Sequence, residues 1–208
     1  MDLPERLSLA RLPTPLQRMD RLSGAWGGPT IWVKRDDLTG FEVSGNKIRK
    51  LEFHLAAARL AGADVVVTCG AVQSNHCRAT VFATAPLGME AVVLLRTPDG
   101  GPPARSEANH LLMELGGADI RYVTPDDYAR RDEVLEQVAG ELRAAGRIPW
   151  VIPEGASDAL GMWGFVAAVE ELGIQRVGLP PMAALWHAAS SGGTTAGMAG
   201  AADRLGRD

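Results

Sequence analysis

One lysine in this sequence stands where its amine could act as a nucleophile. Lys47 closes the run Ser44-Gly45-Asn46-Lys47 and precedes a stretch with helical spacing, so Ser44 or Asn46 is predicted to cap that helix. The amine would lie in the first helical turn, where the helix dipole and burial favour its neutral form. A neutral amine is what Schiff-base chemistry requires. A solvated surface lysine is the competing interpretation.

A second run, from Cys69 to His76, follows a predicted strand. Gly70 permits a tight turn, and Ser74 and Asn75 can cap the next helix. Capping would leave backbone N–H groups available for an anion such as a carboxylate. His76 could serve as a base, although a single histidine beside a helix start is more often structural.

A third run, Ser190 to Gly197, is rich in small and hydroxyl residues. Small residues let the backbone approach a phosphate closely, and hydroxyl groups add donors. The run has neither the GxxxxGK[ST] pattern nor the GxGxxG pattern, so a plain turn competes with a phosphate-binding loop. The preceding residues, Leu185 to Ala189, are predicted to form a short strand.

The elements that must position these loops alternate between strands and helices. Apolar runs rich in Val and Ile, without polar alternation, are typical of strands buried on both faces of a parallel sheet. The helical stretches between them predict an open, doubly wound α/β fold with helices on both faces of the sheet. The predicted strands are Ile31 to Val33, Val65 to Val67, Ala91 to Leu95, Ile120 to Val123 and Trp150 to Ile152.

Glycine and proline mark the predicted helix ends. Gly62, Gly146 and Gly173 each follow a stretch with helical spacing and are predicted to stop it. Pro86 is predicted to shorten or kink the helix after Asn75.

The charge, the apolar segments and the cysteine count indicate which partners and which cellular location to expect. A net charge of -4 without a basic run gives no reason to expect nucleic acid or an anionic membrane as partner. No apolar segment approaches the length of a membrane span. The two cysteines, Cys69 and Cys77, are too few for a disulfide framework, which favours a reducing, cytoplasmic location. No metal site is expected.

Three segments carry a resemblance to a known family. They read LPTPLQ (12–17), WVKRDDLTGFEVSGNKIRKLEF (32–53) and GAVQSNHCR (70–78). Together they resemble the D-cysteine desulfhydrase and 1-aminocyclopropane-1-carboxylate deaminase family, pyridoxal-phosphate enzymes of the tryptophan synthase β-like fold type II. The resemblance implies two domains: residues 47–154 as the smaller α/β domain, and residues 1–46 with 155–208 as parts of a larger cofactor-binding domain that is incomplete at its C-terminus.

The resemblance also implies roles for individual residues. Lys47 is the residue that holds pyridoxal 5'-phosphate covalently, and Ser74 is a catalytic residue at the substrate. Asn75 contacts the cofactor ring oxygen, and Ser74, Asn75 and His76 contact the substrate. The cofactor phosphate is held by the glycine- and threonine-rich loop, here Ser191, Gly192, Gly193 and Thr194. The resemblance further suggests a homodimer.

The expected reaction is elimination from D-cysteine or a similar small amino acid, which gives a keto acid, ammonia and sulfide. The deaminase branch more often has glutamine where His76 stands, so ring-opening deamination is the second interpretation. A catalytically inactive fragment is the third, because family members run considerably beyond the phosphate loop.

The family's GGSN turn reads GASD here, so Ala156 and Asp158 are departures from the family pattern. Asp158 is expected to add negative charge near the substrate carboxylate.

Overall fold

The computed structural model describes residues 3–40 and 44–204, with the side chains of 203 and 204 excepted. Strands and helices alternate along most of these residues. The strands are β1 (Leu16–Arg18), β2 (Trp32–Lys34), β3 (Val65–Ala71), β4 (Glu90–Arg96), β5 (Asp119–Val123) and β6 (Pro149–Val151). The helices are α1 (Asp20–Trp26), α2 (Lys47–Leu60), α3 (Asn75–Thr84), α4 (Ala108–Leu115), α5 (Pro125–Ala129), α6 (Arg131–Ala144), α7 (Trp163–Gln175) and α8 (Gly193–Arg204).

A four-stranded parallel sheet in the order β5-β4-β3-β6 forms the centre of the fold. The central strands β3 and β4 pair over seven residues, from Val65 opposite Glu90 to Ala71 opposite Arg96. Their Val and Leu side chains are buried on both faces, because helices cover each side of the sheet. The predicted doubly wound parallel α/β fold is therefore confirmed.

Successive strand residues enter different cores, as the two-residue period of a strand requires. Val66 packs with α2 and α3, and Val93 packs with α3 and α4, on one face of the sheet. Val67 and Leu94 pack with Leu135 of α6 on the opposite face. Both sets of helices therefore fix the carboxyl ends of β3 and β4, and the Cys69–His76 run emerges from the end of β3.

Three sequence predictions of secondary structure are wrong. The Ile31–Val33 run does not join the parallel sheet, because β2 pairs antiparallel with β1 in a separate two-stranded sheet and is only half-buried. Leu185–Ala189 forms no strand and is exposed, since no described strand lies beside it. Gly173 does not end α7, which continues to Gln175, and a glycine inside a helix costs only about 1 kcal/mol.

Other boundaries follow the prediction. Gly62 and Gly146 adopt left-handed backbone angles, with φ of 70° and 79°, just beyond α2 and α6. α3 ends at Thr84, and Pro86 lies in a short 3₁₀ turn directly after it. The shortening expected from Pro86 is thus confirmed.

A buried ionic network fixes the helix that begins at Lys47. Arg49, with 1% of its side chain exposed, contacts Asp36 at 2.8 Å and Glu171 of α7 at 2.9 Å. Arg49 also donates to Thr14 Oγ1 at 3.0 Å. The network joins the N-terminal segment, α2 and α7, so that the first turn of α2 is held from several sides.

The proposed division at residues 46/47 and 154/155 stays a prediction. The four-stranded sheet lies between residues 65 and 151. None of the helices in the described residues combines the length and apolar character that a membrane crossing needs.

Candidate cofactor site

The three runs singled out in the sequence all lead into helix N-termini. α2 begins at Lys47, α3 begins at Asn75 and α8 begins at Gly193. Contacts bring the three starts together: Arg78 of α3 donates to the Ser44 carbonyl at 2.6 Å, and an added Cβ at Gly193 would lie 2.5 Å from Lys50 Nζ. Helix N-termini attract anions, so their convergence makes an anion-binding region.

Lys47 is half-buried in the first turn of α2, as predicted. Its ammonium donates to Asn46 Oδ1 at 3.2 Å, and burial lowers its pKa. The predicted capping of α2 by Asn46 or Ser44 is wrong. Asn46 has helical backbone angles and makes no capping hydrogen bond, while the Ser44 hydroxyl donates to the Gly40 carbonyl.

Lys50 is a functional candidate that the sequence analysis missed. Only 1% of it is exposed, and its ammonium donates to the Gly155 carbonyl at 3.1 Å and to Ser157 Oγ at 3.0 Å. Burial and the nearby charge of Lys47 lower its pKa to about 8 against the opposing charge of Asp158. The i, i+3 spacing from Lys47 was the available signal, because residues three apart share a helix face.

The glycine-rich loop lies directly over Lys50. A Cβ at Gly193 would lie 2.5 Å from Lys50 Nζ and 2.8 Å from Ser157 Oγ, so any side chain here would have to displace both groups. The Ser191 and Ser157 hydroxyls lie 2.6 Å apart. Gly192, with a φ of 85°, turns the chain into α8.

These groups match the needs of a phosphate. Lys50 has three donor hydrogens and uses two of them on a carbonyl and a hydroxyl, while no carboxylate is bonded to it in the described residues. A buried ammonium with only neutral partners is stabilised by an added anion. The exposed Ser191 and Gly192 and the half-buried Thr194 surround the α8 N-terminus, where free N–H groups are available. The residues therefore fit the phosphate of the cofactor implied by the sequence.

Ser74 caps α3 as predicted. Its Oγ accepts a hydrogen bond from the Cys77 backbone N–H at 3.1 Å. A Cβ at Gly70 would lie 2.6 Å from Ser74 Oγ, so glycine is needed where β3 ends. Asn75 follows as the first residue of α3 and is exposed.

His76 lies beneath this turn with 3% of its surface exposed. The Thr68 hydroxyl donates to the Ile152 carbonyl at 2.8 Å, so it must accept from His76 Nε2–H, also at 2.8 Å. Burial and the charges of Lys47 and other nearby cations lower the pKa of His76 to about 3. The imidazole is neutral and structural here, and its predicted contact with substrate stays a prediction.

The carboxylate of Asp158 is held by hydrogen bonds within the protein. Its carboxylate accepts from buried His54 Nε2 at 3.0 Å and from the Gly161 N–H at 2.8 Å. Burial acts to raise the pKa of Asp158, but the hydrogen bonds from His54 and Gly161 outweigh it and lower the pKa to about 2. Ala156, the other departure, has a left-handed φ of 49°, a conformation that favours glycine.

Comparison with known proteins agrees with this geometry. The family model described as "Pyridoxal-phosphate dependent enzyme" matches residues 7–208. A bifunctional D-cysteine desulfhydrase/1-aminocyclopropane-1-carboxylate deaminase of Arabidopsis thaliana is 40% identical over 92% of this chain and 49% of its own length. A D-cysteine desulfhydrase of Klebsiella pneumoniae is 40% identical over 96% of this chain and 61% of its own length.

Solved structures give the same result. The crystal structure of an ACC deaminase homologue matches 99% of this chain with a TM-score of 0.86 and 37% identity, and 61% of that chain is covered. A threonine deaminase at 23% identity and a TM-score of 0.70 shares the fold. The chain spans between about half and three-fifths of the length of these relatives. Its fold is that of the type II pyridoxal-phosphate enzymes, and the chain belongs to the family of pyridoxal-phosphate dependent enzymes.

Proposed function

We propose that this chain binds pyridoxal 5'-phosphate covalently through Lys47 and carries the cofactor half of a lyase acting on a small amino acid. One observation carries the proposal most strongly: the buried Lys50 ammonium lies against Gly193 at the start of α8, one helical turn from Lys47. A phosphate-binding ammonium, that of Lys50, and a reactive amine, that of Lys47, thus lie on adjacent turns of α2.

Each group has a distinct task. Lys50, Ser157, Ser191 and the α8 N-terminus hold the phosphate, and Lys47 holds the opposite, reactive end of the cofactor. The exposed Asn75 and the N-terminus of α3 provide donors for the substrate carboxylate and the ring oxygen. Ser74 lies beside them, although its Oγ already accepts from Cys77 N–H.

The reaction we propose is elimination from D-cysteine. When bound, the cofactor takes up the electrons released as the α-proton of an amino acid leaves. Burial lowers the pKa of Lys47, which favours the neutral amine, the form that can accept that proton. The Cβ–S bond then breaks, and addition of water yields pyruvate, ammonia and hydrogen sulfide. The names of the Arabidopsis and Klebsiella relatives support this substrate class.

Ring-opening deamination of 1-aminocyclopropane-1-carboxylate is the second candidate. It is supported by the bifunctional Arabidopsis relative and by a Thermotoga maritima relative named as a putative deaminase, which is 42% identical. Water and this substrate give 2-oxobutanoate and ammonia. Sulfide with pyruvate from D-cysteine, against 2-oxobutanoate from the cyclopropane substrate, separates the two reactions.

The first test is cofactor binding by the 208-residue protein. Pyridoxal phosphate added to the parent should produce the visible absorption of a lysine-bound cofactor, and Lys47→Ala should abolish it. Lys50→Met should keep the absorption but require at least tenfold more cofactor, since one charge-assisted phosphate contact contributes roughly 1.5–3 kcal/mol. Unchanged absorption in Lys47→Ala would contradict the assignment. No absorption in the parent would mean that this chain alone is an inactive fragment.

The proposed assembly rests on the family resemblance. The proposed location rests on the two free cysteines, and the absence of a nucleic-acid partner rests on the net charge of -4. We propose a homodimer in the cytoplasm, with no nucleic-acid partner. Light scattering of the purified protein at about twice the monomer mass of 22.0 kDa would support the dimer.

A further inference from the structure

The start of α4 is joined to the Ser74–Asn75 turn by four hydrogen bonds. The side chain of Gln73 accepts from the Asn109 backbone N–H at 2.9 Å and donates to the Glu107 carbonyl at 3.1 Å. The Asn109 amide nitrogen donates to the Gln73 carbonyl at 2.9 Å and to Asn75 Oδ1 at 2.9 Å. Helix α4 thus touches the turn that bears the predicted cofactor contact.

Backbone groups dictate the direction of each of these bonds. A backbone carbonyl can only accept, so the group of Asn109 that faces the Gln73 carbonyl must be its NH₂. The second hydrogen of that NH₂ points at Asn75, whose partner atom must then be an acceptor, Oδ1. The Gln73 carbonyl therefore fixes the orientation of the Asn75 amide through two successive hydrogen bonds, both made by the Asn109 NH₂.

This orientation leaves the Asn75 NH₂ as the exposed end of the side chain. No acceptor for it lies among the described residues, whereas its Oδ1 is already used. A donor is the group that a phenolic ring oxygen or a carboxylate attracts, and the opposite amide orientation would present an oxygen and repel it.

The backbone is strained where it delivers Asn109. Ala108 has a φ of 48°, a left-handed conformation that costs an alanine energy which glycine avoids. Such outliers persist only where the surroundings hold them, and they concentrate at functional sites. The bonds between Gln73 and the segment of Glu107 and Asn109 are among the contacts that hold it.

We propose that Asn109 is a positioning residue that locks the Asn75 amide with its NH₂ toward the cofactor. The inference rests on the proposed function, since it gives Asn75 a cofactor to face. Without Asn109, the amide of Asn75 can rotate, and the oxygen faces the anion for part of the time.

A double-mutant cycle on cofactor affinity tests this role. Asn109→Ala should weaken pyridoxal phosphate binding about tenfold in the parent, the effect of one hydrogen bond to a charged group. In an Asn75→Ala background the same substitution should change affinity less than twofold, because its target is gone. Ser106→Ala is the matched control at the same helix start and should leave affinity unchanged. Among the described residues, the Ser106 hydroxyl bonds to His110 and Glu114 and not to the Ser74–Asn75 turn.

A cofactor-free measurement separates failure of this inference from failure of the proposed function. The Asn75 side-chain NH₂ signals in a ¹⁵N spectrum, identified by their loss in Asn75→Ala, should move toward free-amide positions in Asn109→Ala and stay fixed in Ser106→Ala. Unchanged Asn75 signals overturn the inference whether or not the parent binds cofactor. An equal loss of affinity in both backgrounds, or no loss in either, also overturns it. A parent that binds no cofactor refutes the proposed function, and the spectrum still decides the orientation.

Discussion

The buried ammonium of Lys50 predicts an unusual dependence of stability on pH. Its side chain bonds to a carbonyl and a hydroxyl and has no bonded carboxylate in the described residues. Its pKa falls from 10.5 to about 8 in the folded protein. Between those two pH values the unfolded chain holds a proton that the folded protein has lost, so the free energy of unfolding rises with pH. Below pH 8 Lys50 is protonated in both the folded and the unfolded chain, so its contribution to the free energy of unfolding does not change with pH.

The size of the rise follows from the same two values. A difference of one in pKa corresponds to about 1.4 kcal/mol, which sets an upper value of roughly 3 kcal/mol for the gain between pH 8 and pH 10.5. Lys50→Met lacks the titrating group. The free energy of unfolding of the parent, less that of Lys50→Met, should therefore rise over this range by up to that amount.

Urea unfolding followed by circular dichroism at half-unit pH steps measures this difference. Two further changes should alter it in known directions. Lys47→Ala removes a charge that lowers the pKa of Lys50, so the rise should begin at higher pH. Saturating inorganic phosphate should reduce the rise of this stability difference with pH, because bound phosphate favours the charged ammonium of Lys50. A difference between parent and Lys50→Met that stays constant from pH 7 to pH 10.5 would refute the assignment of a buried, weakly partnered ammonium.

Three more outcomes are expected. Ala156→Gly should raise the free energy of unfolding by about 0.5–1 kcal/mol in urea, because glycine relieves the left-handed φ of 49°; a loss would mean that no strain is stored there. Gly193→Ala should weaken pyridoxal phosphate binding at least tenfold in an absorption titration, because its Cβ would displace Lys50 and Ser157; unchanged affinity would argue against the phosphate loop. Stability should fall as pH drops from 6.5 toward 3, by up to about 1.4 kcal/mol per pH unit, because unfolded His76 takes up a proton that the buried ring resists. In unfolding followed by circular dichroism, His76→Gln should lose less stability than the parent as pH drops from 6.5 toward 3. An equal loss would contradict the buried neutral ring.

Much of the fold could be predicted because its signals are local. The apolar runs of β3 and β4 are buried from both sides, so their composition alone identifies them. The same pattern was misleading at Ile31–Val33, where a short run pairs with Leu16–Arg18 outside the main sheet. Strand pairing depends on which segment lies alongside, and the sequence of one strand does not contain that information.

The candidate site divides in the same way. Lys47, Ser74 and the Ser191–Thr194 loop stand at helix starts that the sequence marks with nearby glycines, and at one of them Ser74 is also the capping residue. Lys50 escaped notice because its importance arises from Gly193 and Ser157, which lie more than a hundred positions further along the chain.

By itself, the sequence determined the parallel α/β class, the position of Lys47 at a helix start, and the family whose motifs surround it. Only the tertiary structure decided that His76 is a neutral buried ring, that Asp158 is hydrogen-bonded to His54, and that Lys50 lies beneath the phosphate loop. The physical reason is that helix starts and strand burial follow from neighbouring residues, whereas charge state and hydrogen-bond direction depend on partners that only folding brings within 3 Å.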